Sequence, residues 1–105
     1  GISARSGYCQ AWVADVYQAV TGSRGSAHCA LCAADMWAVS SDFSQIPVGA
    51  TVYGYSSSKY GHVGIYIGNG MVAHNIGEIK IQSLESWIKT YKGFAWGWEN
   101  GNVLI

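Results

Sequence analysis

The chain is short of charge: six Lys and Arg stand against six Asp and Glu in 105 residues, 11% in all, and the formal net charge is zero. With no basic stripe to neutralise phosphates, nothing in the charge points to nucleic acid or an anionic membrane as a partner. Long apolar runs are missing too. Gly, Ser or Asp interrupts each one well before the roughly 18 residues that a membrane-spanning helix needs, which predicts a soluble domain with no membrane span. A single proline, Pro47, and 14 scattered glycines form no repeat, low-complexity tract or linker. Three cysteines, Cys9, Cys29 and Cys32, are too few and too odd in number for the disulfide framework of a small secreted chain, and at least one thiol is left over. No paired Asp/Glu motif, Gly-Lys phosphate loop or His-rich metal motif occurs.

What remains is a hydrophobic content of 50% in 11.2 kDa, enough for one core and one domain over 1–105 and too much for a disordered chain. The chain opens on Gly1 without an apolar leader flanked by Arg or Lys, and reads as a processed product or a domain of something longer.

Periodicity places helices first. Trp12, Val13, Val16, Tyr17 and Val20 recur at helical spacing from Cys9, and Thr21-Gly22 supplies a stop, so 9–21 is predicted helical. Ser26 is a candidate N-cap for a second, Ala-rich helix from Ala27 to Val39, followed by a polar loop to Pro47. The period then changes to two. Strands are expected over Thr51 to Tyr55, His62 to Ile67, Met71 to Asn75 and Glu78 to Gln82, then a short helix from Leu84 to Tyr91 capped by Ser83, and a closing strand through Phe94, Trp96 and Trp98. Helices followed by an antiparallel meander make an α+β domain.

Few side chains here can form a nucleophile and base near neutral pH: three histidines and three cysteines. Cys9 is the nucleophile candidate. In the first turn of a helix, unpaired N–H groups and the helix dipole favour the thiolate and can also receive an oxyanion. The competing reading is a buried small hydrophobe, the commoner fate of a free cysteine. The histidine pair shifts the balance. If Gly68-Asn69-Gly70 is a three-residue loop, Ile67 pairs with Met71, His74 faces Gly64, and His62 lies on the diagonal, about 7 Å away on the same face. A two-residue turn is expected to set the histidines on opposite faces.

Cys9 at a helix start, the strand Gly61-His62-Val63-Gly64-Ile65-Tyr66-Ile67-Gly68-Asn69-Gly70, and then Met71-Val72-Ala73-His74 together resemble the NlpC family of cell-wall cysteine endopeptidases. The likeness runs from Cys9 to the final aromatic strand. It implies a papain-like fold with N-terminal helices packed on a central antiparallel sheet, and cleavage of bacterial peptidoglycan stem peptides after D-glutamate without metal or cofactor. Residue by residue it implies Cys9 as nucleophile, His62 as base and His74 as the polar group that orients the base. The usual Asp-Cys-Ser-Gly is here Tyr8-Cys9-Gln10-Ala11, and the usual Gly-Asp is Gly49-Ala50. Tyr8, next to the nucleophile, is a candidate substrate contact, though a tyrosine there is more often a packing residue. The implied partner is the peptidoglycan peptide, with further domains of a longer parent chain, or an immunity protein if the domain is a toxin. The implied setting is secreted, associated with the cell wall or phage-delivered.

Three other readings stand beside this one. The CHAP amidases and endopeptidases also run Cys then His, but continue with an acidic residue or Asn farther on, whereas His74 follows His62 by twelve residues. An idle papain-like module would bind wall peptide without cutting it, yet neither Cys9 nor His62 is missing. A redox protein would use Cys29 and Cys32, whose CxxC spacing beside His28 is expected to reflect core packing on the second helix. Asn75 competes with His74 as the orienting group, but alternation sends it to the other face. The five tryptophans are too many for one small core, and some are candidates to line a groove, although a tryptophan at helical or strand spacing is more often core.

Overall fold

The first helix ends where its apolar spacing predicts. In the computed structural model, which describes residues 9–22, 30–55, 61–76 and 78–99, α1 spans Cys9–Thr21 and buries Trp12, Val13 and Tyr17 along one side. The second helix, α2 (Ala30–Trp37), stops short of the expected end at Val39. Instead Ala38–Ser40 is strand β1, because its backbone finds a partner in a strand near the other end of the chain. Tertiary pairing overrides a weak local helix preference, and β-branched Val39 suits the extended conformation. A short 3-10 turn, Phe43–Gln45, follows, capped by the Asp42 side chain on the Ser44 N–H.

The remaining strands are β2 (Thr51–Gly54), β3 (His62–Gly68), β4 (Met71–Asn75), β5 (Ile79–Ser83) and β6 (Ala95–Gly97), with helix α3 (Leu84–Tyr91) between the last two. Together they form one six-stranded antiparallel sheet in the order β1-β6-β2-β3-β4-β5. The domain is therefore α+β, and the meander from β2 to β5 is as the sequence predicts. The closing strand is inserted between β1 and β2, which alternation alone does not reveal. Ser83 caps α3 as expected, its hydroxyl accepting the Ser86 N–H at 3.1 Å.

Alternation on the strands sorts the core into two layers. Val63 and Ile65 on β3 and Ala73 on β4 face α1 and α2, packing with Trp12, Val13, Tyr17, Ala33 and Trp98. Val52 and Val72 point to the opposite face, where Trp87 of α3 covers them with Leu84, Ile88 and Tyr91 around it. Both faces of the central strands are thus buried, so β3 is enclosed from His62 through Ile65. Among the described residues no helix is long and apolar enough to cross a membrane.

Candidate active site

His62 opens β3 and His74 sits in β4. The cross-strand pairs Gly64 with His74, Ile65 with Ala73 and Tyr66 with Val72 set His62 diagonal to His74, the register expected from the sequence. The turn that produces it differs from the expected three-residue loop. Gly68 pairs with Met71, and the turn is the two residues Asn69 and Gly70, with φ of 54° and 70°. Positive φ at both central positions is what a type I′ turn requires, and Asn followed by Gly satisfies it. By itself this turn would send the histidines to opposite faces. A bulge between Tyr66 and Gly68 takes up one residue of β3 and restores the alignment.

The two rings meet on the α3 face. His62 Nε2 and His74 Nδ1 are 2.8 Å apart, with ring planes at 84°. Tyr91 stacks on His62 with centroids 4.2 Å apart, and Trp87, one helical turn earlier, lies 6.0 Å from His62 and edge-on to His74 at 6.5 Å. α3 can come this close because the strand position beside His62 is a glycine, and a second glycine gives β4 its room beside His74. A Cβ on Gly54, which pairs with His62, would lie 2.5 Å from the Tyr91 carbonyl oxygen. One on Gly64, which pairs with His74, would lie 2.6 Å from Val72 Cγ1.

Enclosure decides the charge of the pair. Burial pushes His62 down to about 4, and the neighbouring His74 adds to the effect. Burial also lowers His74; a hydrogen bond to Gln82 opposes this, and the positive charge of Lys80 across the strand reinforces it. Both rings are neutral at pH 7, and a neutral imidazole held by a hydrogen bond can accept a proton from a nearby acid.

A second layer holds His74. Its Nε2 lies 3.2 Å from Gln82 Oε1, and Gln82 Nε2 donates to Ser86 Oγ at 2.7 Å and Thr90 Oγ1 at 3.2 Å. Sequence reasoning misses Gln82, Ser86 and Thr90, together with the covering pair Trp87 and Tyr91. For Gln82 the signal is its alternation with Ile81, which turns to the histidine face once β5 is aligned with β4.

The other sequence candidates fall as follows. Cys9 is the first residue of α1 by its backbone, while its side chain, Tyr8, His28 and Cys29 lie outside what is described. Cys32 does not pack in the core of α2: it is exposed and disulfide-bonded, because the polar side of this short helix faces away from the sheet. Asn75 is buried on the face opposite His74, as alternation predicts. Trp12, Trp87 and Trp98 are core residues of the two layers, while Trp37 and Trp96 are half-buried. Among the described residues no group of three His, Cys, Asp or Glu is placed to hold a metal ion. Comparison with protein-family models and with curated proteins returns no match.

Proposed function

We propose that this domain is a papain-like cysteine endopeptidase that hydrolyses peptide bonds in bacterial peptidoglycan stem peptides, after D-glutamate, with Cys9, His62 and His74 as its working residues. The observation that carries the reading is the buried bond between His62 Nε2 and His74 Nδ1, which leaves His62 Nδ1 outside the pair. A neutral His62 with that nitrogen directed to a thiol is the base such chemistry needs.

The course of α1 supports Cys9 as the thiol. The Tyr17 hydroxyl donates to the Gly49 carbonyl, and Gly49 in turn donates its N–H to the Tyr66 carbonyl at 2.7 Å, so the C-terminal half of α1 is tied to the far end of β3. From Tyr17 back to Cys9 a helix rises about 12 Å, and from Tyr66 back to His62 a strand rises about 13 Å. If α1 runs along β3, these lengths match and its start lies level with His62. The body of α1 packs on the face opposite the histidines, so the proposal requires the start of α1 to lie at the end of β3 that His62 opens.

In the proposed reaction His62 Nδ1 takes the Cys9 thiol proton, and the thiolate adds to the scissile carbonyl carbon. The oxyanion is received by the Cys9 backbone N–H. As the C–N bond breaks, His62 returns the proton to the leaving amine, leaving a thioester on Cys9. Water then gives its proton to His62 and attacks the thioester, and the acid and the Cys9 thiol are released. His74 holds the His62 ring throughout, and no metal or cofactor takes part. Tyr8 is proposed as a substrate contact. The disulfide at Cys32 supports an oxidising, secreted, wall-associated or phage-delivered setting.

Mass spectrometry of purified peptidoglycan digested by the protein tests the proposal. New amine and carboxyl ends at the D-glutamyl bond are expected, and they should be absent with Cys9→Ala. Products from Cys9→Ala, or none from the parent protein, would overturn it. The exposed disulfide at Cys32 favours a second reading, thiol–disulfide exchange, which instead predicts reduction of a disulfide substrate that survives Cys9→Ala.

A further inference from the structure

We infer that Gln82 is a positioning residue that fixes which nitrogen of each histidine carries the proton. Its amide has two N–H donors and one carbonyl, and the three are used on three different partners. The donors go to Ser86 Oγ and Thr90 Oγ1, both on α3, and the carbonyl is left facing His74 Nε2. An oxygen at that place requires a hydrogen on His74 Nε2, since two lone pairs would repel. A neutral His74 protonated at Nε2 has a bare Nδ1, which accepts from His62 Nε2–H across 2.8 Å. His62, protonated at Nε2 and neutral, is then bare at Nδ1. A side chain two bonded steps away thus decides whether His62 can act as a base at all.

The opposite arrangement shows what is at stake. If the Gln82 amide were turned over, its N–H would need a lone pair on His74 Nε2, His74 would donate from Nδ1, and His62 would carry its proton on Nδ1. Such a ring has no lone pair outside the pair. Ser86 and Thr90 occupy successive turns of α3, so one helix both covers the rings through Trp87 and Tyr91 and holds the amide that orders their protons. Lys80, paired with His74 across β4 and β5, disfavours a second positive charge there and helps keep His74 in a neutral tautomer.

The catalytic consequence rests on the hydrolase reading, whereas the tautomers do not, and the test separates them. Nitrogen-15 NMR of histidine-labelled protein at pH 7 should show both rings protonated at Nε2 and bare at Nδ1. In Gln82→Leu, which keeps the size and removes the amide, His74 should become a mixture of tautomers and His62 should follow it. Gln82→Glu, an acceptor only, should restore the Nε2–H form. With peptidoglycan as substrate, Gln82→Leu should lower kcat by about tenfold to a hundredfold with KM little changed, the usual scale for a group that orients a working histidine. Gln82→Glu should recover much of that loss, with the acid limb of the pH profile moved upward. A wild-type His74 protonated at Nδ1, or tautomers unchanged in Gln82→Leu, would overturn the inference even in an active enzyme. The expected tautomers in a protein that cuts no wall peptide would uphold Gln82 and reject the hydrolase.

Discussion

Acidification should weaken this fold well above the pH at which carboxylates protonate, and His62 sets the size of the effect. At pH 7 the ring is mostly neutral in both the folded and the unfolded chain, so it contributes little pH dependence. As the pH falls through the ordinary value of 6.5, the unfolded chain takes up a proton that the folded chain refuses until about pH 4. Over that interval the unfolded state binds more protons, and stability drops with falling pH. At about 1.4 kcal/mol per pH unit, the interval from 6.5 to about 4 amounts to about 3 kcal/mol. His74, also lowered by burial, adds to the loss in the same direction. Asp42, held low by the Ser44 hydroxyl and N–H, acts only below its ordinary 3.8, outside this window. Against a typical total of about 5 to 15 kcal/mol this is a large share. Urea unfolding at half-unit steps from pH 7 to 4 should show the midpoint fall by about 1 to 3 M at constant slope. The double variant His62→Gln, His74→Gln should flatten the profile. Equal stability at pH 7 and 5, or an undiminished slope in the double variant, would refute the reasoning.

The two histidines should differ in what their loss does to wall hydrolysis. His62→Ala should be as damaging as Cys9→Ala, because members of one catalytic unit are not additive, while His74→Ala should cost less and His74→Asn recover part of it by accepting the His62 Nε2–H. Peptide mapping of the folded protein after iodoacetamide should find Cys9 alkylated and inactive, and Cys32 linked to Cys29; a link from Cys32 to Cys9 would remove the nucleophile from the proposal. Gly64→Ala should destabilise by about 1 to 3 kcal/mol in urea unfolding, since its Cβ would press on Val72 Cγ1 and lie 3.1 Å from the Ala73 carbonyl oxygen. An unchanged midpoint would mean that β4 yields without cost.

Features fixed by near neighbours along the chain are legible in the sequence. The Ser83 cap, the end of α1 at Thr21 and the strands flanking Asn69-Gly70 each depend on a few adjacent residues. The diagonal placement of His62 and His74 is reached in the sequence from a turn of the wrong length, and it holds because the bulge between Tyr66 and Gly68 makes up the missing residue. Features that depend on remote partners are not legible. Ala38–Ser40 is a strand only because Gly97 and Trp96 lie beside it. Gln82 looks like any polar residue of an edge strand until β5 is aligned with β4 and α3 brings Ser86 and Thr90 to its amide. Cys32 belongs to a disulfide that an odd count of cysteines argues against, and its exposure follows from how a short helix is rolled on the sheet.

The bulge between Tyr66 and Gly68 gives the hairpin one spare residue. Deleting one residue there, with the Asn69-Gly70 turn kept, would erase the bulge and leave Tyr66 opposite Val72 and Gly64 opposite His74. Deleting one residue between His62 and Tyr66, with the bulge kept, would instead bring His62 opposite Asn75, and His62 would look toward α1 while His74 still looked toward α3. Removing two residues would shorten the ribbon and leave both rings on their present side. Length variants of this segment should therefore survive in even steps, or in odd steps that create or erase a bulge. For any other one-residue insertion or deletion, the facing of the rings is decided by the parity of the backbone between them, which no substitution at either histidine can repair.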